Sequence, residues 1–217
     1  MSVRIILADD HKIMREGLRA LLAKQKEVEV IAEADSGRGV IELCSQLHPD
    51  VVVIDISMPD LNGIDAARQI TRQAPDIKVI ALSMHSDKKY VKEMLAAGAS
   101  GYLLKDAAFE ELGMAIATVL KNKTYLSPQI TDTVVKDYVN ENVPQNSIAS
   151  TALSAREREV LQLISEGKNT QHIALALSLS EKTVAAHRSH IMHKLRVKSV
   201  AELTKIAVRE GLTFVEL

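Results

Sequence analysis

The sequence predicts an α/β domain with a doubly wound, five-stranded parallel sheet, followed by a small all-α domain of four helices. Three observations support this fold class. Five short apolar runs alternate with segments of helical periodicity in the first part of the 217-residue chain. A polar, proline-containing stretch at residues 140–150 interrupts the pattern. Beyond it, only helical patterns with helix-capping residues remain.

The five predicted strands are continuous apolar runs, as expected of parallel strands that are covered on both faces. They span residues 3–8, 28–32, 51–54, 79–82 and 101–104. Apolar residues at helical spacing follow each strand, and the first such face contains Ile13, Gly17 and Leu21 together with their neighbours. Strand–helix units repeated in this way form a sheet whose binding site lies at the carboxyl ends of the strands.

The last part of the chain carries helix start and stop signals. We expect four helices, beginning at Ser154, at Asn169 or Thr170, at Ser180 and at Ser199. Glu157 and Glu202 complete capping boxes at two of these starts. The three-residue turn 178–180 between the second and third helices is typical of a helix-turn-helix module. The predicted division is therefore a first domain at 1–122, a linker at 123–150, which contains a short helix at 131–139, and a second domain at 151–217.

Composition narrows the functional class. A chain that is 47% hydrophobic and 25% charged is globular, and 3% aromatic residues are too few for a surface that stacks single-stranded bases. One cysteine excludes a disulfide framework and a multi-cysteine metal site. No apolar run approaches the length of a membrane span, so we expect a soluble, cytoplasmic protein without membrane contact. The net charge is −1, yet residues 151–217 carry ten Lys and Arg against seven Asp and Glu, which favours a polyanionic partner for that segment.

Polar residues end four of the five predicted strands. Asp9 and Asp10 follow the first strand, Asp55 the third, Ser83 the fourth and Lys105 the fifth. In a parallel sheet these ends converge, and carboxylates so close together are unfavourable unless a cation neutralises them or one of them is protonated. Oxygen ligands favour Mg²⁺. A carboxylate, a hard cation, an ammonium and a hydroxyl together indicate phosphoryl transfer to Asp55, although each aspartate alone could be an ordinary helix cap.

Four sequence motifs strengthen this interpretation. They are Ala8-Asp9-Asp10-His11, Asp55-Ile56-Ser57-Met58-Pro59-Asp60-Leu61-Asn62-Gly63, Ala81-Leu82-Ser83 and Gly101-Tyr102-Leu103-Leu104-Lys105. With these motifs, residues 1–122 resemble the receiver domain of two-component response regulators. The sequence departs from many receivers at Asp106, where they have proline.

The resemblance implies a role for each matching residue. Asp55 would accept a phosphoryl group from a histidine kinase. The carboxylates of Asp10 and Asp55 and the backbone carbonyl of Ser57 would hold Mg²⁺, with Asp9 assisting. Ser83 and Tyr102 would act as a switch pair, and Lys105 would neutralise phosphoryl charge.

The third helix of the second domain has two distinct faces. Val184, Ile191 and Leu195 share the side predicted to face the core. The opposite side is small, polar and partly cationic, as in a helix that enters the DNA major groove. His187, His190 and His193 spread too far around the helix for a metal site.

Residues 151–217 resemble the four-helix DNA-binding domain of the LuxR and NarL/FixJ regulators. The matching residues include the run Leu153-Ser154-Ala155-Arg156-Glu157-Arg158-Glu159-Val160-Leu161, Gly167, Thr183-Val184, His187 and Lys194-Leu195. The resemblance implies a recognition helix at 180–195 whose DNA-contacting candidates are Lys182, Thr183, Ala186, His187, Arg188, Ser189, His193 and Lys194. Of these, Thr183, His187, Arg188 and Lys194 are expected to contact phosphates or to support the helix. Many relatives carry Lys at the position of Ala185, so the target sequence does not follow from this helix.

The sequence therefore predicts a transcription factor, not an enzyme, in which phosphorylation of Asp55 favours a homodimer on two duplex half-sites. Three alternatives stay open. The first is a phosphohydrolase with an aspartyl nucleophile; resemblance to the haloacid-dehalogenase hydrolases would require a second Asp as general acid two residues after Asp55, and that position is Ser57. The helical domain could bind a protein or RNA, which the small side chains of Ala185 and Ala186 favour. The third is a regulator that responds to a ligand and ignores phosphate, which the presence of all three aspartates, Asp9, Asp10 and Asp55, disfavours.

Overall fold

The computed structural model describes residues 2–140 and 153–213. The chain divides into two compact units, Met1–Asn142 and Val143–Leu217. Within the described residues, no helix combines the length and the apolar character that crossing a membrane requires.

The first unit is a parallel sheet of six strands in the order β2-β1-β3-β4-β5-β6. The strands are β1 (Val3–Ala8), β2 (Val28–Ala34), β3 (Val51–Asp55), β4 (Lys78–Ser83), β5 (Gly101–Leu104) and β6 (Tyr125–Leu126). Helices follow each strand: α1 (Lys12–Leu22), α2 (Gly37–Leu47), α3 (Gly63–Gln73), α4 (Lys88–Ala96), α5 (Ala108–Val119) and α6 (Pro128–Asn140). The predicted doubly wound sheet is confirmed, and the strand number is corrected from five to six.

The strand order brings the acidic residues together. β1 lies between β2 and β3, and its register places Ala8 opposite Ile54. Asp9 follows Ala8 and Asp55 follows Ile54, so the two aspartates lie side by side where the carboxyl ends of the strands form one edge of the sheet. This is the point where the winding of the sheet reverses, which is the usual place for a site in such folds.

One hydrophobic core of this unit lies between the sheet and helices α1 and α5. All residues of β3 are buried, and Leu18, Leu22 and Leu112 pack against the same face of the sheet. Buried apolar residues of α2, α3 and α4, such as Val40, Ile70 and Met94, cover the sheet as well. The prediction that Ile13 belongs to the buried face of α1 is wrong, because this side chain is 87% exposed. At 100° per residue Ile13 lies about 180° around α1 from the buried Leu22, so both cannot face the sheet.

The sixth strand is a two-residue element that the sequence pattern did not predict. Tyr125 and Leu126 pair in parallel with Gly101 and Tyr102 of β5. Immediately after it, the Ser127 backbone N–H donates to the Tyr102 carbonyl at 3.0 Å. β6 thereby covers the edge of the sheet next to β5 and leads directly into α6.

A polar cluster fixes this extension to the rest of the unit. The Ser127 hydroxyl donates to Glu111 Oε2 of α5 at 2.6 Å and accepts from the Leu104 N–H at 3.3 Å. The Tyr125 hydroxyl donates to the same Glu111 oxygen at 3.2 Å. The linker predicted at 123–150 thus begins with β6 and α6, and the helix expected at 131–139 is confirmed. Residues 141–150 lie outside the described residues, and the predicted domain boundaries stay a prediction.

The second unit contains the four predicted helices, α7 (Ala155–Ser165), α8 (Thr170–Leu177), α9 (Glu181–Leu195) and α10 (Val200–Glu210). Their predicted N-caps are confirmed at Ser154, Asn169, Ser180 and Ser199, with capping boxes at Ser154 and Ser199. Leu161, Val184, Ile191 and Leu203 lie in a common core. A left-handed residue, Ser178, ends α8 and lets the chain turn into α9, so the predicted turn between the two helices is confirmed.

Candidate functional site

Two buried carboxylates share one ammonium at the carboxyl edge of the sheet. Asp9 and Asp55 are each 1% exposed. Lys105, which follows β5, places Nζ 2.8 Å from Asp9 Oδ2 and 2.8 Å from Asp55 Oδ2. The residues that the sequence predicted at the ends of β1, β3 and β5 are therefore in direct contact. A single bridging cation offsets the repulsion between two carboxylates that burial would otherwise make costly.

Burial and charge oppose one another in this cluster. Burial raises the pKa of Asp55 above its ordinary value, the Lys105 ammonium opposes that rise, and the Asp9 carboxylate adds to it. For Lys105, burial alone would lower the pKa, but Asp55 and Asp9 outweigh it and hold the pKa above its ordinary value. Lys105 is therefore charged at neutral pH.

Asp10 and His11 complete the polar rim. The His11 ring nitrogen Nδ1 lies 2.8 Å from Asp10 Oδ1 and 3.2 Å from Asp9 Oδ1. One ligand atom from each of Asp9, Asp10, His11 and Asp55 falls within 4.8 Å of the others. The sequence prediction did not include His11 among the site residues, although its position beside two aspartates was the available signal.

The donor set fits a hard divalent cation. Apart from the ion pair with Lys105, Asp9 Oδ2 and Asp55 Oδ2 have no hydrogen-bond partner among the described residues, and both atoms are buried. Buried carboxylate oxygens in this condition are suitable ligands for Mg²⁺, which accepts oxygen donors and retains several waters.

The loop after Asp55 is held tightly against the end of β3. Asp55 Oδ1 accepts from the Ser57 N–H at 3.2 Å, and the Gly63 N–H donates to the Ile56 carbonyl at 2.9 Å. Asn62 caps α3 by accepting from the Asp65 N–H at 2.9 Å. This network places the backbone of Ser57 beside the Asp55 carboxylate.

Ser83 and Tyr102 lie on neighbouring strands and meet through the loop that follows β4. Both are fully buried. The Ser83 hydroxyl accepts from the His85 N–H at 2.9 Å, and the Tyr102 hydroxyl donates to the His85 carbonyl at 2.8 Å. The His85 ring stacks on Tyr90 of α4, with ring centroids 5.2 Å apart. His85 thus connects the two predicted switch residues to α4.

Burial raises the pKa of Tyr102 far above its ordinary value, although a hydrogen bond with Ser83 opposes the rise. The phenol therefore stays protonated at physiological pH and can act as a donor. In this structure the Tyr102 ring is turned inward.

The predicted recognition helix α9 presents a polar surface. Val184 and Ile191 are buried, as predicted. Six of the eight candidate DNA-contacting residues are exposed, namely Lys182, Ala186, Arg188, Ser189, His193 and Lys194. Thr183 and His187 are half-buried, and the Thr183 hydroxyl lies 2.8 Å from the Ser180 hydroxyl within the helix cap. Lys194 differs from the rest, because its Nζ lies 2.7 Å from Glu157 Oε2 of α7.

Comparison with known protein families identifies both units. Residues 5–117 match the response regulator receiver domain, and residues 151–207 match the bacterial regulatory proteins of the luxR family. The chain belongs to the DNA-binding response regulators in which a receiver precedes a luxR-type domain, as the sequence motifs predicted.

Named relatives resemble the chain over nearly its whole length. It is 36% identical to the transcriptional regulatory protein DegU of Brevibacillus brevis, over 97% of this chain and 94% of that protein. It is 38% identical to the oxygen regulatory protein NreC of Staphylococcus carnosus (strain TM300), over 97% of this chain and 99% of the relative.

Solved structures give the same result. The RcsB response regulator of Salmonella typhimurium matches with a TM-score of 0.64 and 28% identity, covering 96% of this chain and 98% of that chain. A structure of an RcsB–DNA complex matches with a TM-score of 0.60 and 27% identity, covering 97% of this chain and 99% of that one.

Proposed function

We propose that the protein is a cytoplasmic transcription regulator that a histidine kinase activates by phosphorylating Asp55. The observation that carries this proposal is the Lys105 ammonium, 2.8 Å from both Asp9 and Asp55. An ammonium at this position is suited to the dianionic charge of a phosphoryl group on Asp55. In the transfer, an Asp55 oxygen bonds to phosphorus while the bond from phosphorus to the kinase histidine nitrogen breaks.

The acidic rim is suited to Mg²⁺. The carboxylates of Asp9, Asp10 and Asp55 and the backbone carbonyl of Ser57 would hold the ion, which supplies charge neutralisation at the phosphoryl oxygens when bound. Asp55 is the phosphoacceptor because its carboxylate lies at the end of β3 between the Lys105 ammonium and the Ser57 N–H. Asp9 binds Lys105 from the other side and so positions it.

The switch acts through Ser83, Tyr102 and His85. A phosphoryl group on Asp55 offers the Ser83 hydroxyl a charged acceptor that is stronger than any neutral one. Reorientation of Ser83 disturbs the His85 N–H that now donates to it, and His85 also accepts from Tyr102 and stacks on Tyr90. The loop after β4 and helix α4 are therefore the two-state element that phosphorylation biases.

The output is DNA binding by α9 in the major groove. Lys182, Ser189 and His193 lie on its exposed face and are the proposed contacts to bases or phosphates, and Arg188 is a proposed phosphate contact. Activation favours a homodimer on two half-sites, the general arrangement of dimeric helix-turn-helix proteins. A structure of two RcsB dimers bound to two parallel DNAs, similar to this chain with a TM-score of 0.59, supports the dimer.

Acetyl phosphate with Mg²⁺ provides the direct test of the receiver. Wild type should incorporate close to one phosphoryl group per chain, and Asp55→Asn should incorporate none. Asp50→Asn, an exposed aspartate five residues earlier, is the matched control and should be labelled like wild type.

Two results would contradict the proposal. Equal labelling of wild type and Asp55→Asn would remove Asp55 as the acceptor. Continuous release of phosphate from a monoester, without accumulation of a phosphorylated chain, would indicate a phosphohydrolase instead.

A further inference from the structure

One cation of the recognition helix is already paired within its own domain. Lys194 lies in the last turn of α9, and its Nζ is 2.7 Å from Glu157 Oε2. Glu157 lies in the first turn of α7 and its side chain is 6% exposed. The pair therefore joins the end of α9 to the start of α7, across 37 residues of sequence.

The Glu157 carboxylate is fixed by the backbone as well as by Lys194. The same Oε2 accepts from the Ser154 N–H at 2.8 Å, and the Glu157 N–H donates to the Ser154 hydroxyl at 3.3 Å. These two bonds form the capping box that begins α7. The carboxylate cannot follow the lysine without breaking the cap.

The Glu157 carboxylate is ionised at neutral pH, as an ion pair with Lys194 requires. Burial alone would raise the pKa of Glu157, but the bonds from Lys194 and Ser154 outweigh it and the pKa lies below its ordinary value. If Lys194 turned to a DNA phosphate, it would leave a charged, buried carboxylate without its cation, which is strongly unfavourable.

Two other cations of the same helix have no such restraint. Lys182 and Arg188 are exposed, and neither has a carboxylate within ion-pair distance among the described residues. Their charges are available to the phosphate backbone, whereas the charge of Lys194 is offset inside the domain. Fewer positive charges of α9 are therefore available to neutralise DNA phosphates than its sequence contains.

We infer that Glu157 is a positioning residue for DNA recognition, which holds Lys194 against α7 and keeps its ammonium away from the DNA backbone. The inference rests on the proposed function, since it assumes that α9 enters DNA. It assigns Lys194 to supporting the helix, one of the two roles that the sequence left open. The pair also limits sequence-independent affinity, which depends on the number of neutralised phosphates.

Salt dependence separates this role from a purely structural one. The logarithm of the affinity falls with the logarithm of salt concentration, by about 0.9 for each phosphate neutralised. Glu157→Gln keeps an N3 acceptor for the cap but removes the charge that retains Lys194. Binding of the full chain to a short duplex of arbitrary sequence should then show a slope steeper by about 0.9. The double variant Glu157→Gln, Lys194→Met should return the slope to the wild-type value.

Glu181→Gln is the matched control. It removes the same charge from an exposed position in the first turn of α9 and is not paired with Lys194, so any general charge effect appears there as well. The measured quantity is the difference in slope between the two Glu→Gln variants.

Several outcomes overturn the inference alone, provided that wild type binds the duplex. The first is a salt-dependence slope of Glu157→Gln equal to that of wild type. The second is a steeper slope that remains in the double variant, and the third is a slope of Lys194→Met alone that is flatter than that of wild type. The last comparison remains decisive if Glu157→Gln does not fold. Absence of salt-dependent binding by wild type would instead overturn the proposed function, and the inference with it.

Discussion

Gly63, the first residue of α3, is the position where one added methyl group perturbs the acidic site most directly. An ideal Cβ there would lie 2.0 Å from the Asp55 carbonyl oxygen and 2.9 Å from Ile56 Cα. Both are backbone atoms, so no side-chain rotation relieves the contact. Separating them to the shortest contact found in proteins requires about 1 Å of backbone movement in a close-packed loop. Such overpacking typically costs about 1–3 kcal/mol, and we expect Gly63→Ala to fall at the upper end.

The same movement displaces Asp55 from Lys105. A misplacement of about 1 Å can slow a reaction by roughly 100-fold, so phosphorylation by acetyl phosphate should slow to that extent. The assay is the initial rate of labelling in Mg²⁺, together with urea unfolding of the full chain. Gly167→Ala is the control, because its φ of 79° strains alanine but its Cβ would contact nothing within 4 Å.

For Gly167→Ala we expect about 1 kcal/mol of destabilisation in the second unit and an unchanged labelling rate. If Gly63→Ala unfolded within about 1 kcal/mol of wild type and were labelled at the wild-type rate, the tight packing of this loop around Asp55 would be refuted.

Three further predictions concern stability and are tested by chemical unfolding. Leu112→Ala removes a fully buried side chain and should lower the free energy of unfolding by about 2–5 kcal/mol. Met114 is 65% exposed, so the control Met114→Ala should change it by less than about 0.5 kcal/mol. Similar losses of stability in the two variants would contradict the assigned core. Ser127→Ala leaves the Leu104 N–H and Glu111 without their shared hydroxyl and should cost about 1–3 kcal/mol, and a neutral result would show that this polar cluster contributes nothing. The pKa of Glu157 is lower in the folded state than its ordinary value, so its ionised form stabilises the folded domain. This contribution is fully present at a pH above the unfolded-state pKa and is lost as the pH falls through the folded-state pKa. The stability difference between wild type and Glu157→Gln, about 1 kcal/mol at pH 7, should therefore vanish in acid, and a difference that persists at the lowest pH would be inconsistent with this assignment.

The parts of the site that follow from parallel topology could be predicted from sequence. Asp9, Asp55 and Lys105 are far apart along the chain, yet each ends a strand of one parallel sheet, and the rule that such ends share an edge brings them together. The capping boxes at Ser154 and Ser199 were equally accessible, because they involve residues three apart and depend only on local backbone geometry.

The features that sequence could not supply depend on long-range packing. β6 has two residues, too few for any periodic signal, and it is fixed by contacts with β5 and with Glu111. The pair between Glu157 and Lys194 joins two helices whose relative placement no local pattern specifies. Helical periodicity placed Ile13 on an apolar face of α1 but did not indicate which side of that face the sheet covers.

The short strand β6 also determines where the receiver can be cut. A fragment that stopped at residue 122 would strip β5 of its outer neighbour and leave the backbone of Gly101 and Tyr102 as an open strand edge. Open edges of this kind pair with other chains and promote aggregation. The same cut would remove the hydroxyl that the Leu104 N–H requires, one residue before Lys105. A soluble receiver with an intact acidic site should therefore extend through α6, well past the end of the family match at residue 117.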